Sequence, residues 1–332
     1  MERQIPGRRW AAQIRHFDSP VLRVRYRGGV VFNAAGLPEW DLLARAMVDL
    51  PDPEPGLTID ELRVLDVLTA NTAMAAAGDP LWTASAEHDP PFTPPCWVWA
   101  HLFGTRRMAL LPAEVHGAFR HLGGVATLPA EVTGYGIGVD QWTPVPTESR
   151  AELADGLLTR VESLLGSPLP SAYRVFLQAT NGPTPTTPGI HPNFGFVADQ
   201  PVFGLARDDR HQDLSYVQPW FRDRLTSDFL AVGYVQGGVL AVKVAGREVG
   251  SVWYYDDDDH RDDDRYDAEY VCAYLLHRCA EDFDAFLYAL TAPPRRLLRR
   301  AGAAVEDGRA VLVRTEDMGA SLPRAQQPPQ AM

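Results

Sequence analysis

The order of hydrophobic and polar positions predicts short helices and strands in the first part of the chain. A helical pattern over residues 57–77 begins at a capping-box sequence, in which Thr58 is followed three residues later by Glu61. The other elements of this part are predicted from alternation and from glycine turns: strands over 97–99 and 108–111, a helix from 112 to 120 or 121, and two short strands within 21–33.

The second part of the chain alternates between amphipathic helical patterns and strand patterns. The predicted elements are helices over 150–165 and 171–179, strands over 229–235, 238–244 and 249–255, and a last helix over 267–290. The last helix carries Cys272 and Cys279 on its apolar face, so we expect core residues rather than reactive thiols. Beyond Pro293 we expect an arginine-rich turn, a candidate strand and a disordered tail.

These elements predict an α+β protein of two domains. The first domain, over residues 1–130, contains a ββα unit, and the second, over 150–292, combines a mixed antiparallel sheet with helices. A linker rich in glycine, proline and threonine joins them over 131–149, and residues 293–332 form a partly disordered tail. A length of 332 residues leaves room for two hydrophobic cores.

Composition and charge restrict the classes of function. No run of about 18 apolar residues is present, which argues against a membrane-spanning helix, and the first residues lack the apolar core of a secretory signal. Three cysteines cannot form a disulfide framework, so we expect a cytoplasmic protein without a membrane partner. The net charge of −12 disfavours nucleic acid as a partner and favours a basic protein.

Three histidines of the first domain are candidates for metal-dependent chemistry. His101 ends a predicted strand and precedes a turn, a second strand and a helix that carries His116 and His121. In such an arrangement His101 could deprotonate a water while the other two histidines hold a divalent ion beside a leaving phosphate. Five residues along an ideal helix turn through about 140°, so both imidazoles reach one ion only if the helix ends first. His116 is then the better candidate ligand.

The residues around these histidines form a longer motif. Trp99-Ala100-His101 is followed by Met-Ala-Leu-Leu-Pro at 108–112 and by the two later histidines, the second of which precedes Gly123-Gly124. This motif resembles the WHH branch of the HNH, or ββα-metal, toxin nucleases, which implies a metal-dependent endonuclease with His101 as general base. Ala100 stands where that family has a metal-ligating histidine. Two ligands make a weak site unless Glu114 or another carboxylate completes it.

A second motif lies at residues 169–182. It reads Leu-Pro, then Tyr173, then Phe176-Leu177, then Asn181-Gly182, where asparagine and glycine supply a left-handed helix end. This motif resembles the opening of the SUKH superfamily of toxin-immunity proteins, and the likeness spans about residues 150–290. The resemblance implies an α+β immunity fold that binds and neutralises toxin domains, commonly nucleases, and it implies no catalysis.

An aromatic strand of the second domain leads into seven aspartates within nine residues, here called the acidic segment (residues 256–264). These charges can mimic nucleic-acid phosphates and dock a basic partner, with the aromatic rings as anchors. The alternative is a solvated acidic hairpin. The candidate partner-binding residues are Trp253, Tyr255, Asp256, Asp257, Asp258, Asp259, Asp262, Asp263 and Asp264.

The two resemblances together predict a bacterial polymorphic-toxin-system protein of SUKH immunity type. Such a protein binds and neutralises a basic nuclease toxin or a related protein, and it is fused here to a degenerate, inactive HNH-like domain. The alternative is an active endonuclease in the first domain that uses Mg²⁺, Zn²⁺, Ni²⁺ or Mn²⁺. Nucleic acid is a partner, and a metal is a cofactor, only under that alternative.

Overall fold

The computed structural model describes residues 10–82, 90–127, 134–148, 153, 155–263 and 265–313. The elements up to residue 127 are β1 (Ile14–Arg15), α1 (Pro20–Arg25), β2 (Val30–Val31), β3 (Ala46–Asp49), α2 (Ile59–Ala76), β4 (Trp97–His101), β5 (Arg107–Pro112) and α3 (Ala113–His116). Those that follow are β6 (Thr147–Glu148), α4 (Asp155–Leu165), α5 (Ser171–Thr180), β7 (Thr184–Pro185), β8 (Gly189–Ile190), β9 (Val197–Ala198), α6 (Leu214–Val217), β10 (Phe229–Val235), β11 (Gly238–Lys243), β12 (Val252–Asp256), α7 (Ala268–Tyr274), β13 (Leu276–Ala280), α8 (Phe283–Ala289), α9 (Arg295–Glu306) and β14 (Val311–Val313). The predicted α+β class is confirmed. In the part of the chain that is described, no helix has the length and apolar character needed to cross a bilayer.

The first sheet has four antiparallel strands in the order β14-β3-β5-β4. Strands β4 and β5 form the predicted hairpin, in which Ala100 lies opposite Ala109. Helix α2 begins at the predicted capping box, because the Thr58 hydroxyl accepts from the Glu61 N–H and the Glu61 carboxylate accepts from the Thr58 N–H. Its apolar side chains share one buried cluster with this sheet and with α9.

The second sheet has four antiparallel strands in the order β10-β11-β12-β13. The three predicted strands are confirmed as β10, β11 and β12, with the last one beginning at Val252. Helix α5 ends at Asn181 in the left-handed conformation, with a φ of 47°, as its sequence predicts. The rings of Tyr173 and Phe176 on α5 lie 4.8 and 4.5 Å from the ring of Phe283, which joins α5 to α8.

Two predictions in the first part were wrong. Residues 21–33 do not form a hairpin: Ser19 and Pro20 begin α1, and β2 pairs instead with β1. The helix predicted to run to 120 or 121 is only α3, which ends at His116. A Cβ at Gly117 would collide with the ring of Tyr234, so the second part of the chain packs directly on the backbone where α3 ends.

The single helix predicted over 267–290 was also wrong, because α7, β13 and α8 occupy this stretch. Strand β13 adds a fourth strand beside β12, and Asp282 starts a new helix by accepting from the Ala285 N–H. The apolar spacing suits a continuous helix. Residues 276–280 instead form their backbone hydrogen bonds with the neighbouring strand β12. Cys272 and Cys279 still pack against the core, and burial raises the pKa of both thiols.

Part of the predicted tail is ordered structure. Helix α9 replaces the expected arginine-rich turn and packs against α2, and β14 pairs with β3, where Leu312 lies opposite Val48. Residues 295–313 therefore complete the first sheet rather than trailing from the second domain. Residues 314–332, predicted to be disordered, lie outside the described residues, and the domain limits near 130 and 150 stay a prediction.

The two parts of the chain meet along β4, the outer strand of the first sheet. The Trp99 N–H donates to Gln236 Oε1 at 2.7 Å, and the Cys96 N–H donates to Gln200 Oε1 at 2.8 Å. Glutamine side chains of the second part thus take the place of a neighbouring strand and cover the sheet edge. Val98 belongs to the same buried cluster as residues of β10, β11 and β12, so the core is continuous across this boundary.

Candidate functional site

The β4–β5 hairpin and α3 bring the two candidate metal-ligating histidines together. His116 is the last residue of α3, and the chain leaves the helix at Gly117 before it reaches His121. The two imidazole rings are perpendicular, with their centroids 4.6 Å apart. The helix therefore ends early enough for both rings to face one ion, which is the condition that their five-residue spacing imposes.

A third donor comes from the acidic segment. His116, His121 and Asp257 are all buried, and one ligand atom of each lies within 4.8 Å of the other two. Asp257 Oδ2 is 3.8 Å from His116 Nδ1. Asp257 is therefore the carboxylate that joins the histidines, whereas the Glu114 carboxylate pairs with Arg25.

Protonation and hydrogen bonding leave the two imidazoles ready to donate lone pairs. Burial lowers the pKa of His116 well below its usual range and that of His121 to about 4, so both rings are neutral at pH 7. The His121 Nδ1–H donates to the Phe119 carbonyl oxygen at 2.8 Å, which leaves the lone pair on Nε2. Within the described residues, neither His121 Nε2 nor Asp257 Oδ1 has a hydrogen-bond partner.

This donor set fits a divalent transition metal. Two neutral imidazoles and a carboxylate are typical ligands of Zn²⁺, Ni²⁺ and Mn²⁺, whereas Mg²⁺ prefers an all-oxygen set. Burial raises the pKa of the Asp257 carboxyl well above its usual range, and a neighbouring cation would favour the ionised form instead. Such an ion would take the free lone pair of His121 Nε2, and it would neutralise the buried Asp257 carboxylate, whose Oδ2 lies nearest to His116.

The acidic segment is docked on the backbone that follows the histidines. The Gly123 N–H donates to the Asp257 carbonyl oxygen at 2.7 Å, and the Val125 N–H donates to Asp258 Oδ1 at 3.0 Å. A Cβ at Gly123 would collide with the Asp258 carboxylate, and one at Gly124 would collide with the backbone carbonyl of His101. The Gly-Gly pair of the motif therefore allows the segment and the strand end to approach this closely.

Buried charges hold the segment in place from the other side. Arg63 of α2 donates to both carboxylate oxygens of Asp256, at 3.0 and 3.1 Å, and lies 3.4 Å from Asp258 Oδ2. Arg120 pairs with the Asp262 carboxylate, which also accepts from the Tyr255 hydroxyl at 2.6 Å. Arginines of the first part thus neutralise aspartates of the second.

Two family models match this chain. Residues 91–130 match a nuclease of the HNH/ENDO VII superfamily with conserved WHH, and residues 152–289 match the SMI1/KNR4 family (SUKH-1). A WHH nuclease-like domain is joined to a SUKH domain. The two matches support a toxin/immunity-type fusion. No curated protein matches the chain.

The structure places the proposed general base of the WHH-like domain beside a buried carboxylate. His101 Nε2 lies 2.9 Å from Asp66 Oδ2, and Arg106 donates to both oxygens of Asp66 at 2.8 and 2.7 Å. Arg63, Asp66 and Arg106 belong to no motif of the sequence, and only the fold brings them to the site. The available signal was the pair of opposite charges, three residues apart, within the apolar run 62–68 of helix α2.

The expectation that the acidic segment is an exposed surface was wrong. The side chains of Asp257, Asp258, Asp259, Asp262 and Asp263 are buried, and those of Asp259 and Asp263 pair with Arg261 and Arg265. Tyr255 is also buried, and Trp253 is half-buried with its indole N–H donating to Ser251. Asp256 is half-buried, and Asp264 lies outside the described residues. Neither a free docking face nor a solvated hairpin describes this segment, although a partner protein stays a prediction.

The WHH-like and SUKH domains together line a partly open cavity of about 30 Å³ at the site. A buried water requires about 10–15 Å³, so the cavity has room for two waters, or for one ion and one water, and not for a phosphodiester. His101 lines the same cavity as the three donors. The residues on its walls include Trp40, Ala100, His101, His116, His121, Gly237, Asp257 and Asp258.

Proposed function

We propose that this protein is a toxin-system binding protein whose SUKH domain neutralises a WHH-type nuclease site, and that in the resting chain the neutralised site is its own. The observation that carries this proposal is the docking of Asp257 and Asp258 at the histidines and at the amides of Gly123 and Val125. Cleavage of nucleic acid is not the function of the chain in this state.

The chemistry of the docked segment supports this proposal. Backbone N–H groups and cationic side chains around a nuclease site are the groups that bind phosphate. Here the Val125 N–H and Arg63 bind aspartate oxygens instead. A carboxylate that makes these contacts mimics the phosphate and also repels an approaching polyanion. The segment therefore both occupies the site and protects it electrostatically.

The fit between the acidic segment and the histidine site also defines the separate protein that this chain would bind. The acidic segment suits a histidine-lined site flanked by arginine, so the partner is a basic nuclease toxin of the WHH type, which competes with the WHH-like domain of this chain. We keep the cytoplasm as the proposed compartment, because an immunity protein of this kind must meet its toxin there.

A second candidate function is an endonuclease held inactive by its own SUKH domain. It is favoured by the pairing of His101 with Asp66, since a carboxylate that holds an imidazole in place prepares it to act as a general base. His116 and His121 would hold the divalent ion, which would supply stabilisation of the leaving phosphate. His101 would take the proton from the attacking water.

Nuclease assays on the full chain test both candidates. We expect no metal-dependent cleavage of plasmid DNA or of RNA by the wild-type protein with Mg²⁺, Mn²⁺, Zn²⁺ or Ni²⁺. Cleavage by the wild type that disappears in His101→Ala overturns the proposal. Cleavage that appears only in Asp257→Asn/Asp258→Asn, and again disappears with His101→Ala, establishes the second candidate. The absence of cleavage in every variant supports a binding protein with an inactive WHH-like domain.

A further inference from the structure

We infer that Asp257 of the SUKH domain is the third protein ligand of a transition-metal ion held by His116 and His121. The ion then joins the two domains and locks the acidic segment in the site. The WHH-like domain supplies the two nitrogen donors, and the SUKH domain supplies the oxygen donor. A metal that serves catalysis in a nuclease acts here as a cross-link.

The geometry is close to that of a three-ligand site. In tetrahedral zinc coordination, metal–ligand bonds of about 2.0–2.2 Å place neighbouring donor atoms about 3.4 Å apart. The three donors lie within 4.8 Å of one another, and the Asp257–His116 pair is already at 3.8 Å. Side-chain movements of about 1 Å therefore complete the site without a change of backbone.

Two further observations distinguish a ligand from a carboxylate that is buried only for packing. Asp257 is 3% exposed and its Oδ1 has no hydrogen-bond partner within the described residues, which is costly for a polar atom in a protein interior. Its neighbour Asp258 differs, because Asp258 accepts from the Val125 N–H and lies near Arg63. Asp258 thus has protein partners for its oxygens, whereas Asp257 has the charge of Arg224 nearby but no hydrogen bond on Oδ1 from any described residue, and its Oδ2 lies beside His116.

The position of Ala100 explains why the donor comes from the other domain. Ala100 lines the cavity at the place where the family motif has a metal-ligating histidine. With alanine there, the WHH-like domain offers only two ligands, which bind a divalent ion weakly. Asp257 restores the third ligand only while the domains are together, so metal binding stabilises the closed arrangement by mass action.

Metal titration of the full chain tests this inference. We would strip the protein of metal and titrate it with Zn²⁺ by calorimetry, and with Co²⁺ by visible absorption, which reports ligand number. We expect Asp257→Asn to weaken Zn²⁺ binding by at least about 100-fold, since even the outer partners of metal ligands contribute about 10- to 100-fold. Asp284→Asn, the same substitution at an exposed position of α8 away from the site, is the control, and its affinity should change by less than about threefold.

Hydrogen exchange of the Gly123 and Val125 amides measures how often the acidic segment leaves the site in the wild-type protein. Zn²⁺ should slow exchange of these amides in the wild type and in Asp284→Asn, and it should have no effect in His121→Ala. Equal Zn²⁺ affinity of Asp257→Asn and the wild type overturns the inference, and so does exchange in the wild type that is unchanged by Zn²⁺. The exchange test stands even if Asp257→Asn does not fold. No readout depends on cleavage or on a partner, so failure here leaves the proposed function untouched.

Discussion

Replacing Arg63 by methionine removes the cation that holds the acidic segment against α2. The Arg63 side chain is 11% exposed, and it is bonded to both oxygens of Asp256 and placed 3.4 Å from Asp258. Methionine keeps much of the packing of the stem but leaves the carboxylates of Asp60, Asp256 and Asp258 without this counter-ion. Removing one member of a buried ion pair costs about 3–5 kcal/mol, mostly because the remaining charge stays desolvated.

Part of this desolvation cost is avoided if the acidic segment moves out of the site, so that its carboxylates are hydrated. We therefore expect Arg63→Met to lower the free energy of unfolding by about 3 kcal/mol, the lower end of that range. At 1.36 kcal/mol per factor of ten, the same change corresponds to an increase of about 100-fold in the opening of the segment. Opening should appear as faster exchange of the Gly123 and Val125 amides, which bond to Asp257 and Asp258 in the closed state.

Urea unfolding and amide exchange measure these two quantities. Arg45→Met is the control, because Arg45 pairs with Asp79 at 3.2 Å with its side chain 41% exposed, and such pairs contribute less than about 1 kcal/mol. Adding Asp256→Asn and Asp258→Asn to Arg63→Met should recover part of the loss, since the stranded charges are then removed. If Arg63→Met changes stability and exchange no more than Arg45→Met does, the segment is not held by buried charge.

Three further predictions follow from the fold. Burial raises the pKa of Asp199 to about 6, so the stability that its protonated form contributes is present below pH 4 and is lost as the pH rises through 6. Between pH 4 and pH 6 the wild type should therefore lose about 2 kcal/mol of unfolding free energy relative to Asp199→Asn. The same pH dependence of urea unfolding in both proteins would contradict this. Leu297→Ala in α9 should lower the free energy of unfolding by about 3 kcal/mol, because the Leu297 side chain is fully buried. The control Arg299→Ala, at an exposed position of the same helix, should lower it little. Equal unfolding midpoints of the two variants would mean that α9 is not part of the core. Thr58→Ala should cost about 1 kcal/mol by thermal melting through loss of the helix cap, and a melting temperature equal to the wild type would show that the capping box adds nothing.

Short motifs in the sequence determined those helix ends and strands whose hydrogen bonds are made to residues close by in the chain. The capping box at Thr58 set the start of α2, and Asn181 set the end of α5, because each needs only neighbouring backbone groups. The β4–β5 hairpin followed from alternation about Gly104. Both family resemblances rested on such short motifs, and both were confirmed by the matching models. His116 and His121 were found in the same way, since their spacing sets a geometric condition that the early end of α3 meets.

Tertiary structure decided everything that depends on a partner distant in the chain. The apolar pattern over 267–290 suits one helix, but β12 offers backbone hydrogen bonds to its middle and turns residues 276–280 into a strand. The charge of the acidic segment favours exposure in the absence of a counter-ion. Arg63 and Arg120 lie more than a hundred residues away, and only the folded chain brings their guanidinium groups to these carboxylates. A charged side chain is buried only together with its counter-ion. A sequence segment that contains the aspartates but not the arginines therefore predicts exposure, and only the fold shows that the arginines are next to them.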